Sequence, residues 1–141
     1  MFSILLISHG NLAEEMLGAA EMITGKAEGI YTAGLQSGMG VESFGKILEE
    51  LTEKHASEGL LILADLYGGT PCNTAALKLL PKYENVEMLT GMNLSMVLEA
   101  VSMRSGSLKN AMEELAGIGK EDIADMRTKL RDEAALNEAD E

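Results

Sequence analysis

The chain has one cysteine, no tryptophan, two prolines and only 11 basic residues against 23 acidic ones. A lone Cys72 excludes an internal disulfide, and one cysteine with two separated histidines forms no structural zinc pattern, so neither a metal nor a cofactor is required. The formal net charge of -12 argues against nucleic acid as a partner, because such binders present clustered Lys and Arg to phosphates. Acidic residues scattered over helix faces and gathered near the C-terminus read as solubilising surface instead. Long hydrophobic runs are missing too: Ile4 to Ile7 and Leu60 to Ala64 fall far short of the roughly 20 residues of a membrane helix. The first lacks a basic leader and a small-residue cleavage site, so it is no secretory signal. The expectation is a cytoplasmic protein without membrane insertion, and 141 residues suit one compact domain.

What is present alternates. Ser3 to Ser8 is an apolar strand running into His9 and Gly10. Asn11 can cap a helix with Glu14 three residues on, Leu12, Met16, Ala20 and Ile23 recur at helical spacing, and Gly25 is a stop. Ile30 to Ala33 is a second strand, followed by a loose segment from Leu35 to Gly40. The next helix begins near Val41, buries Val41, Phe44, Ile47, Leu48 and Leu51, and ends at His55. Leu60 to Ala64 is a third, continuously apolar strand. It leads into Asp65-Leu66-Tyr67-Gly68-Gly69-Thr70-Pro71-Cys72-Asn73, where Thr70 can act as N-cap and Pro71 fits the first helical position.

Val86 to Thr90 is a fourth strand. Gly91-Met92-Asn93 opens a helix with Leu94, Val97, Leu98 and Val101 on one face, and a further helix spans about Ser107 to Ile118 before Gly119 interrupts it. Ile123 to Met126 fits either a short strand or more helix. Residues 1–129 form the domain in this reading, and 130–141 an acidic, solvated tail prone to fraying. Four strands alternating with helices predict a three-layer α/β sandwich on a parallel sheet. With the order 2-1-3-4, the switch point lies between strands one and three, and His9 and the loop from Asp65 to Asn73 flank one crevice.

That crevice suggests chemistry. Asp65 can accept a hydrogen bond from one ring nitrogen of His9, fixing the tautomer and leaving the other as nucleophile. The amides of Gly68, Gly69 and Thr70 open a helix and offer donors to an anion, joined by the Thr70 hydroxyl. Transient phosphorylation of His9 follows as a hypothesis. Taken alone, His9 reads equally well as a strand-end cap, Asp65 as a turn residue, and Gly68 to Pro71 as a tight turn. No Walker loop, dinucleotide fingerprint or Gly-x-Ser-x-Gly turn occurs, and the acidic residues of a receiver domain are missing after strand one. Cys72 reads as core, His55 as a solvent-facing helix end, and Met39 and Met92 as crevice-edge residues able to touch a partner.

Ser8-His9-Gly10, Glu21-Met22-Ile23-Thr24-Gly25, the segment from Asp65 to Asn73, and Gly91-Met92-Asn93 together resemble the IIA components of the mannose family of the bacterial phosphoenolpyruvate-dependent sugar phosphotransferase system. The resemblance covers nearly the whole chain in order. It implies a phosphotransferase component whose His9 takes a phosphoryl group on Nε2 from the histidine-containing phosphocarrier protein and passes it to a IIB component. Asp65 would orient His9, and Thr70 stands where the family places a phosphate-contacting Ser or Thr. The resemblance also implies a fifth antiparallel strand, exchanged in a homodimer, for which only Ile123 to Met126 is available. Ser95, Cys72 and the loop from Gln36 to Gly40 depart from the family pattern at the rim. A phosphocarrier for dihydroxyacetone phosphorylation and a non-catalytic anion-binding module are the alternatives.

Overall fold

The computed structural model describes residues 1–140. Four strands, β1 (Ser3–His9), β2 (Ile30–Leu35), β3 (Leu60–Ala64) and β4 (Val86–Leu89), form one parallel sheet in the order β2-β1-β3-β4. Six helices accompany it: α1 (Leu12–Thr24), α2 (Val41–His55), α3 (Thr70–Leu79), α4 (Leu94–Ser102), α5 (Leu108–Glu121) and α6 (Met126–Asp140). The expected order is therefore the observed one.

The apolar runs in β1 and β3 are continuous because each strand supplies two cores. Ile4, Leu6, Leu61 and Leu63 enter the core under α1, α4 and α5, while Leu5, Ile7, Leu60 and Ile62 enter the one under α2 and α3. All eight are essentially fully buried, each worth about 1.5–3 kcal/mol relative to exposure. Side chains of alternating direction on a doubly covered sheet leave no polar position in the centre. The two central strands thus bring the His9 and Asp65 ends of β1 and β3 side by side on a rigid platform.

Several local expectations change. In α1 the buried face centres on Ala13 and Ala20 with Met16 and Leu17 partly covered, whereas Leu12 and Ile23 are exposed. Small residues let the helix lie close to the sheet. Asn11 makes no capping bond; the buried Ser8 hydroxyl accepts from the Ala13 amide at 2.8 Å instead. Val41 and Ile47 are exposed, so α2 is held by Phe44, Leu48 and the half-buried Leu51. Gly69 rather than Thr70 is the N-cap of α3, which shifts Thr70 and Pro71 into its first turn.

Gly119 does not interrupt α5. It lies buried in the helix, where a Cβ would stand 2.7 Å from Met96 Sδ, and its carbonyl accepts from Asn93 Nδ2 at 3.0 Å. The missing side chain serves close helix packing rather than a stop. Ile123 and the two residues after it are loop, and no fifth strand occurs among the described residues. The segment predicted to fray is helical in α6 through Asp140, with every side chain described there exposed. Glu141, the end of the predicted tail, lies outside the described residues. No helix among the described residues is long and apolar enough to cross a membrane.

Candidate active site

His9 is the last residue of β1, in register with Leu35 of β2. Gly10 follows at φ +53°, a left-handed conformation that glycine adopts without strain. Its amide donates to the Leu35 carbonyl at 2.8 Å. Gly34 faces the Gly10 carbonyl so closely that a Cβ there would overlap it. The Gln36 side-chain amide adds a bond to Asn11 Oδ1 at 3.1 Å and one to the Gly34 carbonyl at 3.3 Å. The end of β2 thereby clamps the turn that carries the histidine.

From the other side comes Asp65, just beyond β3, whose own amide donates to the Ile7 carbonyl at 3.2 Å. One carboxylate oxygen, Oδ2, accepts from both the backbone amide of His9 at 2.9 Å and its ring Nδ1 at 2.8 Å. The Asp65 side chain is only 9% exposed against 49% for His9. A carboxylate accepts, so Nδ1 carries the ring proton and Nε2 presents its lone pair. The second Asp65 oxygen, Oδ1, is buried and has no hydrogen-bond partner among the described residues. All of the carboxylate's pairing is directed at His9.

The imidazole rests on Gly69. A Cβ at that position would stand 2.8 Å from His9 Cε1 and 3.5 Å from Nε2, which places that ring edge against the start of α3. Gly68, at φ +78°, turns the chain; the Gly69 amide donates to the Leu66 carbonyl at 3.1 Å, and Asn73 Nδ2 donates to the Gly68 carbonyl at 3.0 Å. One of the three predicted amide donors is therefore spent inside the turn. The amides of Gly68 and Thr70 and the Thr70 hydroxyl have no protein acceptor among the described residues. Open amides at a helix N-terminus favour an anion through their partial positive charge.

Thr70 and Asn73 also line a groove of about 440 Å³ between α2 and α3, with Val41 and Leu77 as its apolar rim. Leu66 and Tyr67 stand exposed on the loop between Asp65 and Gly68. The structure thus brings His9, Asp65 and Gly69 into contact and sets Gly68 and Thr70 beside them. Met92 is buried in the core and Met39 half-buried against the other core, so Met92 is no crevice-edge contact. Cys72 is buried as expected. His55 stacks on Tyr31 with ring centroids 3.6 Å apart rather than facing solvent alone.

Sequence reasoning passed over the supports Ser8, Gly34, Gln36 and Asn73. Ser8 and Asn73 had a positional signal, each lying within a few residues of the His9 or Gly68 turn, whereas Gly34 and Gln36 are distant in sequence and reach the site only through the pairing of β2 with β1. Among the described residues no group of three His, Cys, Asp or Glu side chains could hold a metal ion.

An open parallel α/β sheet with a carboxylate-oriented histidine at its switch point, facing a helix N-terminus, defines a class of α/β domain suited to holding an anion beside an imidazole. The family model for the fructose IIA component of the phosphotransferase system matches residues 3–118, and the chain belongs to that family. It is 27% identical over 126 residues to the fructose-specific EIIA component of Bacillus subtilis, covering 86% of this chain and 84% of that protein. It is 28% identical over 138 residues to the mannose-specific EIIAB component of Escherichia coli. That match covers 94% of this chain but only 42% of the longer relative. Among solved structures, the IIA protein associated with the fucose utilization operon of Streptococcus pneumoniae superposes with a TM-score of 0.82 at 27% identity, covering 92% of this chain and 99% of that one.

Proposed function

We propose that this domain is a cytoplasmic phosphocarrier whose His9 accepts a phosphoryl group from the histidine-containing phosphocarrier protein and passes it to a IIB component during sugar uptake. One observation carries the reading: His9 Nδ1 is bound to a buried carboxylate at 2.8 Å while the Nε2 edge faces the start of α3. Membership of the IIA family supports it. Residues 1–129 carry this role, the exposed residues 130–138 stand outside it, and a homodimer is part of the same proposal.

The Nε2 lone pair attacks phosphorus as the bond from phosphorus to the donor's ring nitrogen breaks, and the donor leaves with that electron pair. The proton on Nδ1 stays in place, and Asp65 offsets the positive charge that the substituted ring acquires. The amides of Gly68 and Thr70, with the Thr70 hydroxyl, receive the phosphoryl oxygens. In the second half-reaction a nucleophile of the IIB component attacks and the bond to Nε2 breaks. Catalysis of this kind rests on positioning and charge stabilisation.

The test is incubation with phosphoenolpyruvate, enzyme I and the phosphocarrier protein. Acid-labile phosphate should appear on the wild type and be absent from His9→Ala. An unlabelled wild type would overturn the proposal and favour an anion-binding module on the same fold.

A further inference from the structure

We propose that Asn73 is a positioning residue for transfer at His9, its side-chain amide locking the peptide on which the imidazole rests. The inference depends on the phosphoryl-acceptor reading of His9. Contact between Gly69 and the ring is close enough that a single added carbon would meet Cε1 at 2.8 Å. Small displacements of Gly69 therefore move the ring, and through it the bond from Nδ1 to Asp65.

Two groups of the peptide joining Gly68 to Gly69 are held. The Gly69 amide is bound by the Leu66 carbonyl at 3.1 Å, and the Gly68 carbonyl by Asn73 Nδ2 at 3.0 Å. Among the described residues, Asn73 is the only side chain that bonds within this turn. Its own amide also donates to the Gly69 carbonyl at 2.9 Å, so one residue ties both consecutive carbonyls. With glycine on both sides, the peptide meets little steric resistance to rotation, because neither residue has a Cβ to restrict it. Released from Asn73, the peptide is held at one end only, by the Gly69 amide on Leu66, and the Gly68 carbonyl turns more readily toward the amides that face the anion, where a negative oxygen opposes a phosphoryl group. The bond from Asn73 selects the peptide orientation that leaves donors, not an acceptor, beside His9.

Asn73 itself is exposed and belongs to neither core. Asparagine is also a poorer helix former than alanine. Its replacement by alanine should therefore leave the fold intact.

Asn73→Ala is compared with the wild type at saturating phosphorylated carrier protein, alongside heat denaturation and ¹⁵N spectra of the His9 ring. The expected result is a fall in maximal phosphorylation rate of about tenfold to a hundredfold, with KM for the carrier unchanged, undiminished thermal stability and displaced His9 ring resonances. A wild-type rate in the variant, a defect confined to KM, or unmoved ring resonances would each overturn the inference while leaving His9 as acceptor. An unlabelled wild type would overturn both readings together.

Discussion

At the scale of single residues the site works by crowding a mobile ring between two fixed surfaces. Half-exposed His9 has rotational freedom of its own, and what removes it is Asp65 on Nδ1 and Gly69 against the edge from Cε1 to Nε2. Gly69 has φ -72° and ψ 165°, a conformation open to any residue, so alanine there introduces no backbone strain. Gly69→Ala then isolates one effect, the Cβ that meets His9 Cε1 at 2.8 Å. Thermal stability should stay within about 1 kcal/mol of the wild type, because the entropy that alanine removes from the unfolded chain is offset by its being a poorer N-cap than glycine. The phosphorylation rate should nonetheless fall by about tenfold or more, because a displaced ring loses its alignment with donor and carboxylate. Equal rates in the two proteins would show that Gly69 does not set the ring's position.

Elements show what sequence could and could not disclose. The two continuous apolar runs and their His9 and Asp65 ends were legible, because a strand buried on both faces has a composition that few other structures share. Glycine was ambiguous: Gly25 does end α1, whereas Gly119 sits inside α5, and both read as stops from neighbours alone. The difference is tertiary, since Gly119 lies where α5 packs closely on Met96 and a Cβ would stand 2.7 Å from its sulfur. Asn11 likewise looked like a cap by local pattern, but the buried hydroxyl of Ser8 reached the helix first. Gly34 carried no local signal at all, yet its missing side chain lets β2 meet the Gly10 carbonyl. The two glycines should respond differently to alanine. Gly34→Ala forces one backbone away from another and should cost about 1–3 kcal/mol, as overpacking does. Gly119→Ala meets the unbranched Met96 side chain and stands 3.4 Å from Asn93 Nδ2, contacts that side chains can yield to, and a helix-propensity gain of up to about 1 kcal/mol offsets them. Urea denaturation of both variants checks the contrast; equal losses would mean that the Gly10 turn can shift freely.

For the whole molecule, pH acts through opposing contributions. A net charge of -12 repels itself in the compact state, so acidification that protonates carboxylates relieves that repulsion. His55 works against that relief. Its ring lies on Tyr31 where the end of α2 meets the edge strand β2, and burial, reinforced by the neighbouring Lys54, holds its pKa below the ordinary 6.5. The unfolded chain therefore takes up a proton near pH 6.5 that the folded chain still resists. Stability contributed by neutral His55 is complete above that value and declines as pH falls through it toward the lower folded pKa. Lys54 and the His55 ring bear like charge once the proton binds. Glu49, held below its usual pKa chiefly by its hydrogen bond to Lys82, loses its contribution only further down, below about 4.5. The windows are separate, so the histidine can be read alone. His55→Phe preserves an aromatic face for Tyr31 but cannot titrate. Denaturation measured at about pH 7.5 and about pH 5.5 should show the wild type losing stability relative to His55→Phe at the lower pH. Parallel changes in the two proteins would assign the acid response to the carboxylates instead.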